Sequence, residues 1–180
     1  DLLYWESQNP QGILFFFHDT NSDANFIYEN LEMNYFVERA IAEDFSVVSI
    51  KSVAAQWDNE LDCELNSDIQ NFLDFKEQAI NYELMYEDTP VYTMGYANGG
   101  TMLRRVSKCS TVKSVAFLMS SGGNFSSMMS SDYPAPEKII WSPNRNDSVV
   151  SIQNVTNIYD SFVNNGGDGM LLINEPSPML

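Results

Sequence analysis

Short apolar runs alternate along this chain with stretches of helical period. Residues 13–17, 46–50, 91–94, 115–119, 138–141 and 170–173 are brief runs rich in β-branched, aromatic and other apolar residues, separated by clusters of Gly, Pro, Asn, Asp and Ser. Between them, Ile69, Phe72, Leu73, Lys76, Ala79 and Ile80 repeat at helical spacing, as do Val155, Ile158, Tyr159, Phe162 and Val163. Tyr35, Phe36, Arg39, Ala40 and Ala42, and later Met102, Leu103 and Val106, carry the same signal. Strand and helix in alternation predict a three-layer α/β/α arrangement with a mostly parallel sheet, helices on both faces and residues 91–94 at its centre. Residues 2–6 predict one more strand, placed beside 13–17 because only the turn-rich Gln8-Asn9-Pro10-Gln11-Gly12 separates them. Ser67 or Asp68 is the expected N-cap of the second helix, which should end near 87–90.

The pattern converges on residues 90–106, PVYTMGYANGGTMLRRV. β-prone residues lead into a turn bracketed by Gly95, Gly99 and Gly100, and a helix follows. The three glycines allow strand and helix backbones to approach closely. At the tip stands Ala97, whose methyl group cannot attack a carbonyl.

The run Gly95-Tyr96-Ala97-Asn98-Gly99-Gly100 resembles the G-x-S-x-G-G nucleophile elbow of the α/β-hydrolases, in particular the GYSNGG form of esterase and polyester-depolymerase relatives. The resemblance implies a minimal α/β-hydrolase-like fold over nearly the whole chain. ILFFF followed by His18-Asp19-Thr20-Asn21 is similar to that family's third strand and its HG loop, which supplies one oxyanion amide. Asp19 stands where the loop has glycine, and its carboxylate would oppose a developing negative charge unless it points elsewhere, although its amide could still donate. Residues 142–150 resemble the loop that carries the acid of a hydrolase triad, with Asp147 as the matching carboxylate. A second, weaker similarity is to small plant and algal α/β-hydrolase-like proteins with ALGASSGG-type elbows and HMPRD-type acid loops.

A triad needs a nucleophile, a base within reach of it and an acid that orients the base. Here Ala97 and Asp147 occupy vestigial positions. No histidine follows the last predicted strand, and the single histidine, His18, falls in the oxyanion-loop position, where a structural role is expected. The resemblance therefore implies a pseudoenzyme, a binding or accessory subunit whose candidate ligand-binding residues are Asp19, Asn98 and His18. Ala97, Asn98, Asp19 and Asp147 are expected to converge at the carboxyl edge of the sheet. Two alternatives stand beside this: an esterase-type serine hydrolase in a Ser-to-Ala form shortened before its histidine, and a purely structural component of a larger assembly.

Composition narrows the partners. The 180 residues predict one domain, 1–180, with a core of its own, and 44% hydrophobic content excludes disorder. A net charge of −16 disfavours nucleic acid, and no apolar run is long enough for a membrane span, so a soluble protein is expected, with a protein partner or a small neutral ligand. No cofactor and no metal is called for: the acidic residues of 56–68 lack the ligand order of a calcium loop and read as a solvated loop. Arg104 and Arg105 are expected to face solvent or the acidic surface. Residues 126–132 read as a Met- and Ser-rich loop or lid over a pocket. Cys63, in a loop at the carboxyl edge, and Cys109, at the far end of the elbow helix, are expected to be separate thiols. The start at Asp1 points to processing or trimming, and glycosylation sequons at Asn124, Asn146 and Asn154 leave secretion and a cytoplasmic location equally open.

Overall fold

The computed structural model describes residues 2–118, 136–147 and 149–175. Strands β1 (Leu2–Trp5), β2 (Gly12–Phe17), β3 (Phe45–Ile50), β4 (Val91–Tyr96), β5 (Ser114–Leu118), β6 (Lys138–Ser142) and β7 (Asp168–Leu171) form one sheet in the order β1-β3-β2-β4-β5-β6-β7. All neighbours are parallel except β1 and β3. The helices are α1 (Phe26–Glu29), α2 (Leu31–Ala42), α3 (Ser67–Asn81), α4 (Gly100–Cys109) and α5 (Ile152–Asn164). β4 is therefore central, as the pattern predicts, and the elbow lies at its carboxyl end. β7 begins two residues earlier than the apolar run 170–173 that announces it.

A sheet buried on both sides needs near-continuous apolar strands, and β2 supplies one in GILFFF. Phe15 and Phe17 join Phe72 of α3, Met102, Leu103 and Val106 of α4, and Val155 and Phe162 of α5 in one core cluster. Phe16 points the other way, into a second cluster with Ile27 of α1 and Val37 and Ala40 of α2.

Four sequence-based expectations need correction. β1 does not lie beside β2. It pairs antiparallel with β3, and the linker passes under the amino end of that strand, where Gln11 N–H donates to Asp44 O at 2.7 Å. α3 is capped by Asn66, whose Oδ1 accepts from Ile69 N–H, and it stops at Asn81, short of 87–90, as Glu83 turns into the left-handed region at φ 58°.

The other two concern one loop. Cys63 and Cys109 form a disulfide, with Cα atoms 5.7 Å apart. The loop after β3 does not stay at the carboxyl edge but descends alongside α4, so that Glu60 O meets Arg105, Leu61 O meets Lys108 and Cys63 meets Cys109. Arg105 does not face solvent. It is buried, with Nε donating to Glu60 O, Nη1 to Thr101 O and Nη2 to Asn59 Oδ1, and burial lowers its pKa.

Candidate functional site

Ala97 is the tip of the turn and adopts φ 47°, a left-handed conformation uncommon for any residue with a side chain. Residues Ala97–Gly99 make a single 3-10 turn between β4 and α4. The bend is tight because its glycines have no room for more: a Cβ on Gly99 would lie 2.0 Å from Phe17 O, and one on Gly95 would lie 2.6 Å from Gly99 O. Burial of Met102, Leu103 and Val106 holds α4 down against the sheet behind this bend.

The register Phe17↔Gly95 brings the end of β2 alongside the elbow. Asp19 Oδ1 accepts from Thr20 N–H at 2.7 Å and from Asn98 N–H, the first amide after the tip, at 3.1 Å. Thus the carboxylate points at the elbow amide. It also contributes, after burial as the main cause, to the raised pKa of Tyr96.

His18 is fully buried against Trp57, with ring centroids 4.7 Å apart. Its Nδ1–H donates to Asp19 O at 2.6 Å while its Nε2 accepts from Ser52 N–H at 3.2 Å, which fits the neutral ring with the proton on Nδ1. Burial moves its pKa down from the ordinary 6.5, against smaller upward effects of its bond to Asp19 O and of Asp23, Asp68 and Asp19. Trp57 Nε1 donates to His18 O at 2.7 Å, so ring and backbone are both held.

Asp147 lies in the loop between β6 and α5, where its Oδ1 accepts from Val149 N–H at 2.8 Å and Val150 N–H at 2.9 Å. A parallel bridge from Asn144 to Asn174 ties that loop to the segment after β7. Asp19, Ala97 and Asn98 thus meet at one point of the carboxyl edge. Asp147 lies along the same edge, two strands away from β4.

Sequence pattern did not reveal how the loop around the site is supported. Asp68, buried, accepts from Val53 and Asp58 N–H at 2.7 Å each, and Asp58 takes Ser67 N–H and Oγ–H at 3.1 Å, so these acids organise their own loop. The high acid content was the only signal, and it does not distinguish bonded from solvated carboxylates. A largely apolar groove of about 320 Å³ lies away from the elbow, between Phe36 and Ala40 of α2 and a floor that includes Leu14, Tyr92, Ala116 and Ile140. Residues 126–132, expected over a pocket at the elbow, and the sequon at Asn124 fall outside the described residues. No helix among the described residues is long and apolar enough to cross a membrane.

No protein-family model matches the chain, and no curated protein is similar to it in sequence. Solved structures are similar in fold. TT1662 from Thermus thermophilus has a TM-score of 0.66 at 9% identity, over 98% of this chain and 84% of that one. Esterase PE8 has a TM-score of 0.67 at 12% identity, over 98% and 88%. XC6422 from Xanthomonas campestris, a member of the a/b serine hydrolases without lid, has a TM-score of 0.65 at 13% identity, over 97% and 78%. The described sheet and helices have the α/β-hydrolase fold.

Proposed function

We propose that this α/β-hydrolase-fold chain is a non-catalytic, single-domain relative of the serine hydrolases that acts as a binding or accessory subunit. The observation that carries this reading is Ala97 at the strained tip of the elbow, φ 47°, where a nucleophile's oxygen would have to be. A methyl group there leaves the turn without chemistry. His18, the one histidine in the 180 residues, supports the same reading because both its ring nitrogens are already bonded in the core. Asp147, spent on Val149 and Val150 amides, has no imidazole of this sequence to orient. A small neutral ligand or a protein partner fits the acidic chain better than nucleic acid does.

A second reading, an esterase-type serine hydrolase in a Ser-to-Ala form, is favoured by one feature: the left-handed strain is kept at a residue that draws no chemical use from it. Hydrolysis of p-nitrophenyl butyrate separates the two. The protein and its Ala97→Ser variant should both release p-nitrophenolate at the buffer rate. Turnover by the variant would establish a base for the hydroxyl and favour the second reading.

A further inference from the structure

We propose that Asp19 is a built-in occupant of the elbow's anion-binding position, and that its carboxylate keeps Asn98 N–H from polarising the carbonyl of any ligand. The inference rests on reading residues 91–100 as an elbow, and it adds a specificity-determining residue to it. In an elbow the amide after the tip is aimed at the oxygen on which negative charge develops. Here that amide is taken, at 3.1 Å, by Asp19 Oδ1, which also accepts from Thr20 N–H at 2.7 Å. The two hydrogen bonds converge on one oxygen, as they would on an oxyanion.

The occupant is held in place rather than loosely attached. His18 Nδ1–H donates to Asp19 O, Trp57 Nε1–H donates to His18 O, and Gly99 packs so closely on Phe17 O that residues 17–19 cannot slide along the elbow. A charge-assisted bond to a carboxylate is roughly twice as strong as one to a neutral carbonyl, so a neutral ligand oxygen does not displace Asp19. A ligand anion would meet the carboxylate's charge as well as its bulk. A nucleophile restored at the tip would therefore lack oxyanion stabilisation even if a base were supplied.

A thiol at the tip tests this without a base. In the Ala97→Cys protein, the thiolate sulfur attacks the acyl carbon of p-nitrophenyl acetate, the S–C bond forms, the bond between the acyl carbon and the aryloxy oxygen breaks, and p-nitrophenolate leaves with the electron pair. Iodoacetamide is the control, since sulfur displaces iodide without building an oxyanion. The ratio of the acylation to the alkylation rate isolates oxyanion stabilisation from accessibility and thiolate content. Adding Asp19→Gly should raise that ratio at least about tenfold, as one oxyanion donor is worth ~10²–10³ in rate. Adding Asp19→Asn, which keeps an acceptor of the same size in place but removes the charge, should raise it clearly less than Asp19→Gly does. An unchanged ratio with Asp19→Gly, or equal rises in both variants, would overturn the proposal.

If the glycine variant does not fold, the unmodified protein supplies the test. On acidification the Asn98 and Thr20 amide resonances should move together with the Asp19 carboxyl carbon. Asp23, Asp68 and Tyr96 are the other titratable groups interacting around His18 and Asp19, and Asp23 and Asp68 bind different amides, those of Asn25 and of Val53 and Asp58. An Asn98 amide that ignores the Asp19 titration would equally overturn the proposal. Neither outcome bears on whether the unmodified chain turns over esters, so the two readings fail separately.

Discussion

Ala97 holds a backbone conformation that costs an L-residue about 1–2 kcal/mol and that glycine adopts freely. The turn retains it because its flanks leave no alternative: Gly95 and Gly99 are already in contact with backbone, and β4 and α4 are fixed by the core on either side. Replacing Ala97 by glycine should relieve the strain at the expense of ~0.5–1 kcal/mol of unfolded-state entropy, for a net gain of up to about 1 kcal/mol. Thermal unfolding should then show a small rise in Tm for Ala97→Gly and a clear fall for Ala97→Val, whose branched side chain tolerates positive φ worst. A lower Tm for the glycine variant would mean that the alanine methyl makes packing contacts worth more than the strain. The spacing of Gly95, Ala97 and Gly99 is legible in the sequence because each requirement is local to a few bonds. The bond from Asn98 to Asp19 spans 79 positions and is decided by strand register, so the sequence could place a carboxylate near the elbow but could not aim it.

At the scale of elements, β2 to β7 are legible because each contains or adjoins a short run of mostly apolar residues bounded by turn-forming ones, and a parallel sheet with helices follows from their alternation with helical stretches. The loop of residues 51–66 was not legible, since it has no period and its path is set by what it meets on α4. Arg105 reaches three acceptors, on Asn59, Glu60 and Thr101, and Lys108 takes Leu61 O, before the disulfide closes the end of the excursion. Held at the sheet edge, Cys63 would lie too far from Cys109 to bridge; the path of the loop along α4 brings their Cα atoms to 5.7 Å. The bridge closes a separation of 46 residues, for which chain entropy predicts about 4 kcal/mol of stabilisation. Reduction, or the paired Cys63→Ser and Cys109→Ser substitutions, should lower the urea midpoint by a corresponding amount and leave the fold intact by circular dichroism. A loss below about 1 kcal/mol, far under that entropic figure, would indicate that Arg105 and Lys108 hold the loop unaided or that the reduced unfolded chain remains compact.

For the molecule as a whole, the governing imbalance is 25 acidic residues against 9 basic ones. The few cations are largely committed: Arg39 pairs with Glu43, Lys138 with Asp168 and Arg145 with Glu175, while Arg105 and Lys108 serve backbone carbonyls. These three ion pairs are exposed, where each contributes about 0–1 kcal/mol, so they offset little of the mutual repulsion among the remaining carboxylates. Folding gathers that charge into a smaller volume, and repulsion is felt most where screening is weakest. The Debye length falls from about 30 Å at 0.01 M salt to about 8 Å at 0.15 M, from roughly the size of a domain to the spacing of neighbouring side chains. Over that range repulsion across the molecule disappears while contacts within a pair survive, so NaCl should raise the Tm at pH 7, steeply at first and then little above physiological ionic strength. Sucrose stabilises by exclusion from the surface rather than by screening, and should give no such early saturation. A Tm that is flat or falls as NaCl is added would place the balance on the ion-paired side, and would mean that the charge distribution, rather than the net charge, sets the stability of this fold.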